Sequence, residues 1–76
     1  MSKVLNPDKS VIAANIRQRL ESRGLNVNRL YLAISDDVGA NTLYKIVRGE
    51  VMPTLPSLAA IAAVLETTID DLISED

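Results

Sequence analysis

The sequence predicts an all-α domain, and three observations carry that expectation. Apolar residues recur at helical spacing along most of the chain: Ile12, Ile16 and Leu20, then Val27, Leu30 and Ile34, then Leu43, Ile46 and Val47, then Leu58, Ile61 and Leu65. Three glycines and three prolines fall between the periodic segments, as punctuation. No run alternates polar and apolar residues as a half-buried strand does.

At 76 residues, the chain is expected to form one small domain over 1–76, with 1–6 a flexible tail and 74–76 an acidic end. A hydrophobic content of 47 % argues for a folded globule rather than disorder. Tyr31 and Tyr44 are the only aromatics, so Leu, Ile, Val and Ala must build the core. With no Cys, disulfides and thiolate metal sites are excluded, and a reducing cytoplasm is the expected home. The opening "MSKVLNPDKS" lacks the apolar core of a signal peptide. The uncharged stretch from Val51 to Leu65 is shorter than the roughly 20 residues of a membrane span, and prolines interrupt it.

The first helix is expected to start near Pro7 or Ser10, with Asn6 as cap, Pro7 at its first position and Asp8 in its first turn. Gly24 suits a left-handed exit, and Leu25 then folds back onto the last turn. Asn26 caps a second helix, where "NRLYLAI" is apolar on several sides, as for a helix wedged between others. It stops at Ser35-Asp36-Asp37, whose side chains favour turns. A third helix follows from about Ala40 to Arg48. Its inner face is Leu43, Ile46 and Val47, and a polar stripe of Asn41, Tyr44, Lys45 and Arg48 lies opposite. Gly49 closes it. Thr54 caps a fourth helix that turns Leu55, Leu58, Ile61, Ala62 and Leu65 to the core, with Pro56 tolerated in the first turn. Thr68 and Asp71 resemble a capping box for a brief fifth helix bearing Ile69, Leu72 and Ile73.

Two short helices joined by a turn, the second with an outward polar stripe, form an arrangement suited to duplex DNA. The net charge of −2 argues against a polyanion, yet its distribution is uneven. Residues 1–50 hold eight basic and five acidic residues, a net +3, and residues 51–76 hold five acidic and no basic ones, a net −5. A basic face beside a solubilising acidic end is therefore expected. An enzyme is not expected: His and Cys are absent, no glycine loop cradles phosphate, and no nucleophile stands beside a base. Asp36-Asp37 without further ligands do not make a metal site, and no cofactor is expected.

From Ile12 to Ile73 the chain resembles the lambda-repressor-like helix-turn-helix family of phage repressors, Cro-type proteins and small bacterial regulators. "NIRQRLESRGLN" is similar to the family's first helix and its glycine-leucine-polar exit. "VGANTLYKIVRGEVMPTLPSLAAIAAVL" is similar to its recognition helix, closing Arg-Gly, proline and fourth helix, and "TTIDDLI" to its fifth. The resemblance departs in the turn. An ungapped match from Arg29 puts Ala33 at the family's small position and Asp36 at a buried apolar one, where a lone carboxylate is expensive. A turn lengthened by about two residues, with Ile34 inside and both aspartates in solvent, is favoured. Val27 also stands where the family often carries a DNA-contacting Gln.

The resemblance implies a compact five-helix domain that reads an operator in double-stranded DNA as a transcriptional regulator of the phage or prophage repressor kind. Ala40, Asn41, Tyr44 and Lys45 are the base-contact candidates; Asn26, Asn28, Arg29, Thr42 and Arg48 are the phosphate-contact candidates. Arg17, Arg19 and Arg23 are read as a solvated face of helix 1. Family members usually dimerise, so a homodimer is expected, with Val51, Met52, Val64, Ile69 and Ile73 as interface or core. The alternative is a protein-interaction module on the same fold, an antitoxin or an antirepressor-like partner.

Overall fold

The computed structural model describes residues 4–5 and 8–75. Five helices carry the fold: α1 (Lys9–Ser22), α2 (Val27–Ile34), α3 (Ala40–Val47), α4 (Leu55–Val64) and α5 (Ile69–Leu72). Two short strands, β1 (Val4–Leu5) and β2 (Ser74–Glu75), pair antiparallel, Val4 opposite Glu75 and Leu5 opposite Ser74. α3 packs on α1 and α2, α4 packs on α2, and α5 packs on α1 and α4.

The predicted stripes are the core. Ile12, Ile16, Leu20, Leu30, Leu43, Ile46, Val47, Leu58, Ile61, Leu65 and Leu72 are buried in one cluster. Each such Leu or Ile, fully withdrawn from water, contributes about 1.5–3 kcal/mol. No helix among the described residues is long and apolar enough to cross a membrane.

Capping chemistry sets the helix boundaries. Asn26 accepts a hydrogen bond from the Arg29 N–H at 2.9 Å, Thr54 from the Ser57 N–H, and Thr68 from the Asp71 N–H. α1, α3 and α4 close alike, with a left-handed residue after the cap and paired backbone bonds back to the last turn. Gly24 (φ 66°) and Gly49 (φ 79°) fill that place in the first two. In α4 it falls to Glu66 (φ 53°), a side-chain-bearing residue where glycine is the norm.

Four expectations are corrected. Asp8 caps α1, accepting from the Ser10 N–H at 2.7 Å, because its side chain reaches the N–H of the second helical residue; Asn6 and Pro7 lie outside the described residues. The tail expected to be free over 1–6 pairs at Val4 and Leu5 with the acidic end, in a ladder too short to leave an alternating pattern. Ser74 is correspondingly buried, its hydroxyl donating to the Asp71 carbonyl and its own carbonyl accepting from Asn15 at 2.8 Å. Leu55, expected inside, is 66 % exposed: it is the first residue of α4, and the buried apolar positions of that helix begin at Leu58. α2 is not wedged on all sides either: Leu32 is 63 % exposed and Ala33 is also exposed, while only Leu30 and Ile34 are fully inside.

The turn between α2 and α3 runs over five residues, Ser35 to Gly39. The Asp37 and Val38 N–H groups both donate to the Ile34 carbonyl, at 2.8 and 3.0 Å. Ile34 and Val38 are thereby buried, and Asp36 and Asp37 point to solvent. The register that would have buried Asp36 is not adopted.

Candidate nucleic-acid interface

α3 exposes one face and buries the other. Leu43, Ile46 and Val47 are inside; Asn41, Thr42, Tyr44, Lys45 and Arg48 are exposed, and Ala40 is half-buried at the first position. The spacing of the buried residues, three and four apart, dictates this division. Tyr44 is 38 % exposed on this face.

The two ends of α3 are treated differently. Its N-cap is Gly39, which offers no side-chain hydrogen bond, whereas Asp8, Asn26, Thr54 and Thr68 cap the other four helices. The first N–H groups of α3 therefore have no capping oxygen and favour an acceptor from outside. At the other end the Arg48, Gly49 and Glu50 N–H groups bond back to the Tyr44, Ile46 and Lys45 carbonyls at 3.0, 3.1 and 2.9 Å. The Val47 carbonyl accepts from Arg17 of α1 at 2.7 Å.

α2 flanks this face. Asn26, Asn28 and Arg29 are all exposed at or near its start. The Asn26 side-chain oxygen is committed to its cap, which leaves the amide N–H groups as donors. Arg48 forms an ion pair with Glu50, both half-exposed, a pairing worth little in water and readily exchanged.

The charge distribution corrects the expected basic face. Arg23 pairs with Glu66, and Arg19 lies 3.8 Å from Asp71. Arg17 serves the α3 carbonyl, and the Lys9 ammonium reaches the Glu50 carbonyl at 3.5 Å. The basic half thus spends much of its charge on the acidic end and on α3, because α1 lies between them. Among the described residues, Arg29 and Lys45 are the basic side chains with no ion pair or hydrogen bond of their own, and both flank the exposed face of α2 and α3. Residues 26–50 carry three basic and three acidic side chains, so attraction there depends on position rather than on total charge.

Two features of this site go beyond the residues named from the sequence. The uncapped start of α3 was legible in Gly39, which stands where its sister helices have Asp, Asn or Thr. The Arg17 contact was not, because it links positions thirty residues apart.

Neither the curated proteins nor the solved structures yield a match to this chain. Residues 16–72 match the family model for the helix-turn-helix of the Cro and C1 type, and that span covers α2, the turn and α3 in full. This is a family of DNA-binding transcription regulators rather than of enzymes. The exposed second helix of the pair, the core stripes and the family model agree: the chain belongs to the lambda-repressor-like helix-turn-helix family.

Proposed function

We propose that the protein is a sequence-specific regulator that binds an operator in double-stranded DNA, a repressor of the phage or prophage kind, working in the cytoplasm. One observation carries the reading: α3 presents an exposed polar face whose N-terminal end no side chain caps. In this family's geometry that end enters the major groove while the preceding helix crosses the backbone.

The chemistry of each side chain suggests its role. The Asn41 amide suits the paired donor and acceptor of adenine, the Lys45 ammonium donates to guanine, and the Ala40 methyl meets a thymine methyl. Tyr44 stands at the groove wall, its hydroxyl toward phosphate. Asn26, Asn28 and Arg29 hold the backbone from α2, and Thr42 and Arg48 hold it from the two ends of α3. Asp36 and Asp37 sit in the enlarged turn, away from phosphate.

An eight-residue recognition helix meets few base pairs, so the reading includes a homodimer on two half-sites about 34 Å apart. Val51, Val64, Ile69 and Ile73 are half-buried against the core, which leaves Met52, 48 % exposed, as the most open of the expected interface residues. The exposed Leu32 and Leu55 favour a second reading, a protein-interaction module of the antitoxin or antirepressor-like kind.

Selection from a random duplex pool, followed by salt titration of the winner and of the unselected pool, tests the proposal. Affinity for both is expected to fall with salt, the slope steepening by about 0.9 for each phosphate met. Asn41→Ala with Lys45→Ala is expected to erase preference for the winner while non-specific affinity persists. Absence of duplex binding at low salt would remove the proposal and leave the protein-interaction reading.

A further inference from the structure

We propose that Arg17 is a positioning residue for the recognition helix: from α1 it fixes the axis of α3, and through it the base preference, without itself touching DNA. The inference rests on the DNA-reading function proposed above and names a determinant of its specificity outside the contact face.

α3 is only eight residues long, too short to be stable in water by itself, so its direction must be imposed from outside. Its N-terminal end has no side-chain cap to impose one. Leu43, Ile46 and Val47 bury its inner face, but apolar contacts are non-directional and tolerate a small roll or slide. Direction has to come from the C-terminal end.

There the bonding is complete. Of the last four α3 carbonyls, those of Tyr44, Lys45 and Ile46 accept from backbone N–H groups of residues 48–50. The Val47 carbonyl remains, and the Arg17 guanidinium takes it at 2.7 Å. A charged donor at a helix C-terminus is favoured both by the hydrogen bond and by the helix dipole. It is also directional, as the apolar contacts are not.

Two neighbouring contacts make this a seat rather than a single tether. A Cβ built on Gly49 would lie 3.4 Å from the Ala13 Cβ and 3.6 Å from the Ser10 Cα, so the exit of α3 runs in close contact with α1. One turn beyond Ala13 on one side stands Arg17; on the other stands Lys9, whose ammonium reaches the Glu50 carbonyl at 3.5 Å. A change in the Arg17 contact therefore moves α3 relative to α1, and Asn41 and Lys45 move with it.

Arg17→Met keeps the stem and removes the donor; Arg17→Lys restores a cationic donor. Each is measured against the selected duplex and the unselected pool, well below its own melting temperature. Arg17→Met is expected to lose about ten-fold of the discrimination between the two, the order of one displaced base-edge pair, with the salt slope unchanged. Arg17→Lys is expected to recover most of it. A salt slope shallower by about one unit, with both duplexes weakened alike, would make Arg17 a phosphate contact and overturn the proposal. A lower melting temperature with discrimination intact would make it only a stabilising residue and overturn it too. Should Arg17→Met not fold, Arg17→Leu, which also lacks a donor, is scored by the same readouts. A wild-type protein with no preference among duplexes would bring down the DNA reading and this proposal together. Wild-type preference untouched by the variants would bring down this proposal alone.

Discussion

The two ends of α3, a helix of eight residues, are built on opposite principles. The C-terminal end is closed: Gly49 turns left-handed, three backbone bonds fold back, and Arg17 takes the remaining carbonyl. The N-terminal end is open: Gly39 supplies no capping oxygen, and an enlarged turn leads into it. Stability is thus concentrated at the end that faces α1, and hydrogen-bonding capacity is left at the end that faces out. The same division separates the basic residues. Those on α1 are engaged with carboxylates and carbonyls, while Arg29 in the first turn of α2 and Lys45 in the last turn of α3 have no such partner among the described residues.

Breaking the closed end is expected to have the largest effect. Gly49→Val forces a β-branched residue to φ 79°, although the space around its Cβ is adequate, and should cost about 2 kcal/mol or more in denaturant unfolding. An unchanged midpoint would show that the exit of α3 can adopt another conformation at little cost.

The closing turn of α4 provides the converse. Glu66→Gly relieves the left-handed strain of a residue with a side chain and should stabilise by up to about 1 kcal/mol. It gives up the exposed pair with Arg23, worth about 0–1 kcal/mol, so the net gain is smaller than the relief. A matching Arg23→Gln variant measured by the same unfolding assay separates the two contributions.

Closing the open end reverses the asymmetry of α3. Gly39 has an extended backbone (φ −70°, ψ 156°) and nothing within 4 Å of a built Cβ, so Gly39→Ser is accommodated. The serine hydroxyl caps α3, and the unfolded chain loses freedom, together about 0.5–1 kcal/mol of stabilisation. DNA affinity should fall in the same variant, because the first N–H groups now have an internal acceptor. Stability and affinity rising together would argue that the uncapped start has no part in binding.

The smallest effect is a pH dependence at the start of α1. Hydrogen bonds from the Ser10 hydroxyl, then from the Ser10 N–H, hold the Asp8 carboxyl below its ordinary value of 3.8. A depressed carboxyl stabilises the fold above its unfolded pKa and loses that contribution as pH falls through the folded pKa. Asp8→Asn keeps a capping oxygen and does not titrate. The difference in melting temperature between the two proteins should therefore shrink below about pH 3.8 and stay constant above about pH 5.

Much of this fold was legible because helix period and caps are local. Asn26, Thr54 and Thr68 cap where their side-chain chemistry predicts, and every buried stripe was visible as spacing. The turn was legible by energy: burying Asp36 alone would be expensive, and the chain puts Ile34 and Val38 inside instead. What escaped was non-local. Asn15 donates to the Leu72 and Ser74 carbonyls at 2.8 Å and ties α1 to the end of the chain, yet nothing near position 15 marks it. The pairing of α1 arginines with Asp71 and Glu66 escaped for the same reason, and with it the fate of the basic half. The exposed side chains of α3 were named from their stripe, whereas which cations are left beside them depended on the whole fold.

The most direct test is to map backbone amide signals of the protein by NMR as a selected duplex is added. The largest shifts are expected at 26–29 and 39–48, with Asn41 and Lys45 among them, and small shifts at Arg19 and Arg23. Shifts concentrated on α1 and α5, with α3 unmoved, would contradict it.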